Sequence, residues 1–428
     1  MKKIYPFLIL LLFSIGIESN ISYSIPLGNF TQDNPELLPP TVFLNQNLVF
    51  NSDVLVNNLQ IFGNVTFNGS RIKFFPISGF DDHNEIIVES GGNLTFLNTI
   101  FDYSPDVINP SFSITLKENS SLVINNSIIE NTQNKNNDQA LIQGHPKILI
   151  IDQATIENTK FPINVSLDNN DPKDNSNIKI QRSLFHNNYG DSLIKIKGYN
   201  QVEFINNKFS KDWFSITKGI ILENNNKTIM TNNNFIPYYS QLEFINNNNI
   251  EIYKNEINNI YSQNNGSFYF SNNNHVTAIN NKFFGFKQPI LFNNSFGEGT
   301  ITLNDFYGEN PELMFQKHNG DQVIFLNNYY EKISFLDLDS DGFSDTSYFT
   351  DESPLMFPYD SYEVKNGILT LTNPYLIILS QNKPIKPFWD NNLTLFGLYN
   401  IFIFLFLFIL TFKNNIRDFY LIKIKKRQ

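Results

Sequence analysis

The sequence predicts an all-β fold, a single-stranded parallel β-helix of about eleven coils, plus a transmembrane helix near the C terminus. Short windows of alternating apolar and polar residues recur along the chain at a nearly constant step. An uncharged stretch of 20 residues, Leu393 to Phe412, follows them. A repeat of this kind is typical of stacked coils, because each coil buries its apolar side against its neighbours.

The windows share an alternating apolar run, an Asn-rich corner and a second apolar pair. Such alternation is typical of strands with one buried face. We expect two strands in each period, namely the window and a preceding run such as FSITLKEN (112–119). The windows are LTFLNTIF (94–101), LVINNSII (122–129), IIDQATIE (150–157), IKIQRSLF (178–185), VEFINNKF (202–209), TIMTNNNF (228–235), IEIYKNEI (250–257), VTAINNKF (276–283), ITLNDF (301–306) and VIFLNNYY (323–330).

The first four windows are equally spaced, which predicts that equivalent residues stack in columns. One predicted column holds Ile100, Ile128, Ile156 and Leu184. The fifth window position forms a corner column, because Asn tolerates the left-handed backbone of a tight turn. It holds Asn98, Asn126, Asn206, Asn232, Asn280 and Asn327, with Ala154, Arg182 and Lys254 as exceptions, and beside it lie Thr99, Ser127, Thr155 and Ser183. Both columns fit a structural role or, alternatively, a sugar-binding stripe.

Two alternatives explain parts of this pattern. Leucine-rich repeats have a similar period, but the windows lack the leucine frame and the helical half of that repeat. The 67 Asn residues also fit the codon bias of an AT-rich genome.

The two ends predict a single-pass type I membrane protein. Lys2 and Lys3 precede an apolar run, as in a secretory signal peptide. The uncharged stretch is long enough to cross a bilayer, and the basic tail after it favours a cytosolic C terminus; a lipid-anchor signal is the alternative. The predicted segments are a signal peptide (1–24), an N-terminal cap with the first strands (25–60), the β-helix repeats (61–335), an acidic loop and closing segment (336–360), a membrane-proximal segment (361–392), the transmembrane helix (393–412) and the cytosolic tail (413–428).

Localisation beyond the membrane has two interpretations. Lys425 and Lys426 resemble a dilysine signal for retrieval to the endoplasmic reticulum, or they are basic residues that anchor the tail at the bilayer. We favour the cell surface.

Charge and cysteine content limit the partners. The net charge is −10, which disfavours nucleic acid as a partner. Without cysteines, a secreted chain depends on a long core rather than on disulfides. Eleven Asn-x-Ser/Thr triplets are candidate glycosylation sites. They begin at Asn29, Asn64, Asn68, Asn93, Asn119, Asn125, Asn164, Asn226, Asn265, Asn293 and Asn392.

The loop DLDSDGFSDTSYF (337–349) has the oxygen-ligand spacing of a calcium site. The candidate ligands are the carboxylates of Asp337, Asp339, Asp341 and Asp345 and the carbonyl of Phe343. The usual bidentate Glu is absent, so Asp351 or Glu352 is a candidate replacement. An acidic turn without metal is the alternative.

The windows and this closing segment together resemble the right-handed β-helix repeats of the pectin-lyase-like superfamily, of the carbohydrate-binding and sugar-hydrolase (CASH) and NosD-like type. The resemblance rests on Asn328-Tyr329-Tyr330, on the loop 337–349 and on DESPLMFPYD (351–360). It implies a right-handed helix and a glycan as ligand. The copper role of some NosD proteins is not expected here, because the chain has no Cys and its five His are scattered.

Catalysis in that superfamily uses carboxylates stacked on neighbouring coils, and the regular step between windows does not predict such a trio. Starting from Asp102, the step leads to Glu130, Asn158 and His186. We therefore expect no catalytic residue, and a glycan-binding or adhesive glycoprotein with a glycan or a cell-surface protein as partner. A polysaccharide lyase or hydrolase is one alternative, and a stalk or protein-binding scaffold is another.

Overall fold

The computed structural model describes residues 36–372 apart from several connecting segments. The residues between these limits that are not described are 38–40, 43–45, 57, 75–83, 103–111, 131–138, 168–172, 211–215, 237–240, 259–267, 286–289, 294–296, 309–321, 332–336, 338–342, 348–350, 352 and 366–367. The described part divides into two units, a long one that ends at Asp360 and a short one that includes residues 361–372.

The described secondary structure is almost entirely β. The strands are, in chain order, β1 (Glu36–Leu37), β2 (Thr41–Val42), β3 (Asn47–Phe50), β4 (Val54–Val56), β5 (Leu59–Ile61), β6 (Asn64–Asn68), β7 (Arg71–Phe74), β8 (Asn84–Val88), β9 (Asn93–Leu97), β10 (Ile100–Asp102), β11 (Phe112–Leu116), β12 (Ser121–Asn125), β13 (Ile128–Glu130), β14 (Ile142–Gly144), β15 (Ile148–Asp152), β16 (Thr155–Glu157), β17 (Ile163–Ser166), β18 (Lys173–Gln181), β19 (Leu184–His186), β20 (Gly190–Lys197), β21 (Tyr199–Ile205), β22 (Lys208–Ser210), β23 (Ile216–Glu223), β24 (Lys227–Thr231), β25 (Asn234–Phe235), β26 (Gln241–Ile245), β27 (Asn249–Tyr253), β28 (Glu256–Asn258), β29 (Phe268–Ser271), β30 (His275–Ile279), β31 (Lys282–Phe284), β32 (Ile290–Asn293), β33 (Glu298–Thr302), β34 (Asp305–Tyr307), β35 (Gln322–Leu326), β36 (Tyr329–Tyr330), β37 (Tyr362–Lys365) and β38 (Ile368–Leu371). A 3-10 turn spans Tyr359–Ser361.

The strands of the long unit form three parallel sheets, which confirms the parallel β-helix. Sheet A runs β1-β4-β7 and so on by threes to β34, then β36; sheet B runs β2-β5-β8 to β32; and sheet C runs β3-β6-β9 to β33, then β35. Each coil therefore contributes three strands, not the predicted two, because every window bends at its corner. Window 122–129, for example, holds parts of β12 and β13. The three sheets have 13, 11 and 12 strands. The number of coils therefore differs from the predicted eleven.

The register corrects the predicted columns by one residue in the coil that contains β16. Ile128 pairs with Thr155, and Thr155 pairs with Leu184, so Ile156 is not in that column. The step from Ile128 to Thr155 is one residue shorter than the regular step, and the step from Thr155 to Leu184 is one residue longer. Ile156 instead lies in the buried column with Ile129 and Phe185. A slip of one residue exchanges the buried and outward faces of a strand, which is why a fixed step misassigns both columns.

Alternating residues of each strand point inward and form one continuous apolar core. Aromatic side chains stack along it at the coil spacing. In sheet A, the Phe209 ring lies 5.0 Å from Phe185 and 4.7 Å from Phe235. Such pairs add about 0.5–1.5 kcal/mol each to the burial of apolar area.

The corners between sheets C and A use the left-handed backbone, as predicted for Asn98, Asn126, Asn206, Asn232, Asn280 and Asn327. Before β16 the residue in this conformation is Gln153 rather than Ala154, because of the one-residue slip. Arg182, Lys254 and Leu303 also adopt it. The left-handed region costs a non-Gly residue about 1–2 kcal/mol, and less for Asn, which explains the predominance of Asn.

The residue after each of these corners belongs to one column of buried side chains, which becomes a ladder of amides from Asn207 onward. In the first coils this column holds Thr99, Ser127, Ala154 and Ser183, so Ala154 takes the place predicted for Thr155. From Asn207 onward every member is Asn. Each Nδ2 donates to the Oδ1 of the next member at 2.9 or 3.0 Å. We call this column the buried ladder, and its members are Asn207, Asn233, Asn255, Asn281, Asn304 and Asn328.

At three corners between sheets B and C, three consecutive Asn residues have three different structural roles. These positions are 224–226, 272–274 and 246–248, the last being the first three of four consecutive Asn. The first Asn of each run has a positive φ, the second is buried, and the third belongs to a more exposed ladder along the coils. Composition bias alone would not assign roles by position, so the structure explains these Asn runs physically.

The short unit contains an antiparallel hairpin. Strands β37 and β38 pair in it, with Tyr362 opposite Leu371.

Candidate functional site

The outer face of sheet A presents two columns of side chains. Its strands are short, and their middle residue is buried while the first and third face outward. Residues pair in register from coil to coil, so Lys282 lies beside Asp305, and Phe284 lies beside Tyr307. Side chains that lie more than 20 residues apart in the sequence are thereby placed on neighbouring strands about 4.8 Å apart.

Three aromatic side chains occupy this face on the last described coils. The rings of Phe284 and Tyr307 are stacked with centroids 4.6 Å apart and planes 4° apart. The Tyr329 ring meets Tyr307 edge-on at 5.8 Å. All three side chains are partly exposed. We call Phe284, Tyr307 and Tyr329 the aromatic strip.

A buried carboxyl group lies beside the aromatic strip. Asp305 is 1% exposed, and its Oδ1 accepts a hydrogen bond from the backbone N–H of Tyr359 at 2.8 Å. The Tyr307 hydroxyl donates to its Oδ2 at 3.4 Å. Burial raises the pKa of Asp305 to about 6, although the N–H of Tyr359 and the charge of Lys282 favour the ionised form. This carboxyl group therefore changes its charge near neutral pH.

The only basic side chain among the described residues of β28, β31, β34 and β36 is already paired. The Lys282 ammonium donates to the Asp360 carboxylate. Burial lowers the pKa of Lys282, but the hydrogen bond to Asp360 and the charges of Asp360, Asp305 and Glu256 outweigh it and raise this pKa above its ordinary value. Lys282 stays protonated, and its charge is balanced locally.

The tyrosine hydroxyls of the strip remain protonated at physiological pH. Burial, followed by the charge of Asp305, raises the pKa of Tyr307. Burial raises the pKa of Tyr329 to about 12, with smaller contributions from Glu331 and Asp305. Both hydroxyls are thus neutral, although the Tyr307 hydroxyl already donates to Asp305.

Two amide oxygens on the same face have no hydrogen-bond partner in the described structure. They are Oδ1 of Asn234 on β25 and Oδ1 of Asn258 on β28, and both atoms are buried. A buried acceptor without a donor costs about 1–3 kcal/mol. The face therefore combines apolar rings, carboxyl groups and unsatisfied acceptors.

The other half of sheet A aligns acidic residues that the sequence steps missed. Glu130 pairs with Glu157, and Glu157 pairs with His186, so Glu157 replaces the predicted Asn158 in this column. The His186 Nδ1 lies 2.8 Å from the Ser210 hydroxyl. The predicted partner Asp102 ends β10 and pairs with Lys73.

The predicted calcium loop is described only in part. Asp339 and Asp341 lie outside the described residues, whereas Asp337 is partly exposed, Asp345 is exposed, and Phe343 forms a bridge with Leu355. No group of three or more His, Cys, Asp or Glu side chains with metal-site geometry occurs among the residues described.

The proposed replacement ligand Asp351 has a different role, whereas Glu352 lies outside the described residues. Asp351 is 0% exposed and ends the buried ladder. It accepts from the backbone N–H groups of Asn327 and Asn328 at 2.9 Å and from Asn328 Nδ2 at 3.0 Å. Burial raises its pKa, and these donors oppose the shift.

The candidate glycosylation sites lie at different depths. Asn64, Asn68, Asn93 and Asn119 are exposed, whereas Asn125, Asn164 and Asn226 are partly exposed. Asn293 is the last residue of β32. Asn29, Asn265 and Asn392 lie outside the described residues.

Both predicted membrane-related ends, including Lys425 and Lys426, also lie outside the described residues. In the part of the chain that is described, no helix has the length and apolar character needed to span a bilayer.

Comparison of the chain with protein-family models, curated proteins and solved structures finds no match. The fold and the sheet A face therefore carry the functional inference by themselves.

Sequence reasoning missed the aromatic strip and Asp305. A signal was present, because the third residue after each C–A corner residue is buried and its neighbours face outward. Counted from the corner residues 280, 303 and 327, this rule identifies outward-facing positions on three successive strands. These positions hold Lys282 and Phe284, Asp305 and Tyr307, and Tyr329.

Proposed function

We propose that this protein is a membrane-anchored, non-enzymatic glycan-binding or adhesive glycoprotein, and that its β-helix binds glycans on the outer face of sheet A. The main support for this proposal is the position of the aromatic strip beside the Asp305 carboxyl group. Sugars combine apolar C–H faces with hydroxyls, and aromatic rings next to polar groups suit both.

The wider setting belongs to the same proposal. A signal peptide (1–24), a transmembrane helix (393–412) and glycans on the exposed sequons would place the β-helix outside the cytosol. The right hand of the coil and the relation to the pectin-lyase-like superfamily are inferred from the closing sequence. Calcium at Asp337 to Asp345 would stiffen the end of the β-helix.

The test is retention of the full-length protein on a broad panel of immobilised glycans, with and without calcium. We expect retention without released fragments and at least a tenfold loss in Tyr307→Ala. Tyr269→Ala is the matched control, because Tyr269 is a partly exposed tyrosine on sheet B. Equal retention of both variants would reject the sheet A site. Loss of retention with a chelator would connect the calcium loop to binding.

A polysaccharide hydrolase is the second candidate, and the in-register pair Glu130 and Glu157 favours it. Adjacent parallel strands are about 4.8 Å apart, close to the ~5–5.5 Å that separates the two carboxyl groups of retaining glycosidases. Released fragments that disappear in Glu157→Gln would favour this function over binding alone.

A further inference from the structure

The charge around the aromatic strip limits the class of glycan that this face can accept. Among the described residues of β28, β31, β34, residues 329–331 and segment 351–360, the acids are Glu256, Asp305, Glu331, Asp360 and the buried Asp351. Lys282 is the single base there, and Asp360 already neutralises it. The described residues of these elements therefore carry a net negative charge around a neutral aromatic centre, and the exposed Lys254 lies two residues before Glu256 in the sequence.

The acids are close enough to act on the ring hydroxyls. The charge of Glu331 raises the pKa of Tyr329, and Asp305 and Asp360 raise that of Tyr307, each after the larger effect of burial. A ligand that contacts these hydroxyls would experience the same field. At separations of about 5 Å, each such charge changes the affinity for a charged ligand by a few-fold at low salt.

The same position is unfavourable for an acidic glycan. A uronate would bring its carboxylate toward Glu256 and Glu331, which are partly or fully exposed, whereas a protonated amine would be attracted by them. We infer that the sheet A face selects glycans rich in protonated amino sugars over uronates. This inference rests on the proposed glycan-binding function and specifies its ligand class.

The experiment compares three tetrasaccharides of equal length: glucosamine, N-acetylglucosamine and galacturonic acid. Binding to the full-length protein is measured by calorimetry at pH 6 and low salt. We expect the glucosamine tetramer to bind at least tenfold more tightly than the galacturonate tetramer, with the neutral tetramer between them. The preference should weaken at high salt, because exposed charges are screened.

The double variant Glu256→Gln/Glu331→Gln tests the cause. Glu331 is exposed and Glu256 is partly exposed, so the fold should tolerate both changes. We expect the preference to fall about tenfold. The matched control is Glu118→Gln/Glu298→Gln, which removes two exposed acids away from sheet A and should leave the preference unchanged.

The outcomes distinguish a failure of charge selection from a failure of glycan binding itself. Equal binding of the amino and acidic tetramers, or tighter binding of galacturonate, would overturn charge selection and leave glycan binding intact. An equal effect in both double variants would show that net charge, not this face, sets the preference, and would also overturn it. Binding of none of the three tetramers would reject this ligand class, and with an empty glycan panel it would reject glycan binding as well.

Discussion

The Asn run 246–248 allows a direct test of whether buried amides hold the coils together. Asn247 is 1% exposed, and its neighbour Asn248 is exposed. Neither has a positive φ, so replacement by Ala changes hydrogen bonds without relieving backbone strain. Asn247→Ala and Asn248→Ala thus form a matched pair one residue apart.

The expected difference follows from the groups that lose a partner. Oδ1 of Asn247 accepts from the backbone N–H of Asn225 at 3.0 Å, and its Nδ2 donates to the Leu222 carbonyl at 2.8 Å. Both partners belong to buried residues. An unsatisfied buried group costs about 1–3 kcal/mol, so Asn247→Ala should lower the free energy of unfolding by about 2–6 kcal/mol.

The control loses similar bonds in contact with water. Nδ2 of Asn248 donates to Asn226 at 3.0 Å, and its Oδ1 accepts from Asn274 at 2.8 Å. Water can replace both bonds, so Asn248→Ala should cost less than about 1 kcal/mol.

The assay is urea denaturation followed by circular dichroism, with hydrogen exchange of β26 and β27 as a local measure. The local measure is needed because repeat arrays can open coil by coil. Losses in the two variants that agree within about 0.5 kcal/mol would refute the assignment of stability to the buried amides.

Four further predictions concern the core, the end of the ladder and the candidate site. Phe209→Ala should cost about 3–5 kcal/mol, because it leaves a cavity between two stacked rings; a smaller loss in urea denaturation would mean that the core collapses to fill it. Tyr199→Phe removes a buried hydrogen bond of 3.1 Å to the Pro146 carbonyl and should cost about 1–2 kcal/mol; an unchanged unfolding midpoint would contradict the bond. Asp351→Ala leaves the N–H groups of Asn327 and Asn328 unpaired and should cost more than Asp351→Asn, which keeps one oxygen acceptor; the reverse order in thermal unfolding would argue against capping. Asp305→Asn should flatten the pH dependence of stability. The pKa of Asp305 is raised from 3.8 to about 6, so the folded state binds more protons than the unfolded state in that window. Wild-type stability from this group therefore falls by about 2.4 kcal/mol as the pH rises from 4 to 7, and an unchanged slope in the variant would disprove the shift.

The repeat period and the Asn corners predicted the β-helix because both arise from local chemistry. Alternation sets the buried face, and Asn tolerates the left-handed turn. The exact register was not predictable from a fixed step. The step from Ile128 to Thr155 is one residue shorter than the step from Ile100 to Ile128, and this slip placed Ala154 and Ile156 in the wrong predicted columns.

The candidate site depended on that register and was therefore missed. The short window ITLNDF lacks an Asn corner because Leu303 takes the left-handed conformation, so Asp305 and Tyr307 were not aligned with Lys282 and Phe284. The sequence spacing made Asp351 a candidate replacement ligand, because spacing alone does not show that this carboxylate is buried against the end of a ladder.

The buried ladder has a direction, and this direction explains why it ends in a carboxylate. Each amide in it donates toward the C-terminal side and accepts from the N-terminal side, so the amide dipoles add along the column. Their positive end meets Asp351, where a negative charge is stabilised as it is at a helix N terminus. A carboxylate has no N–H to pass to a further coil. The ladder thus ends in a side chain that accepts from the last amide and donates to nothing beyond it.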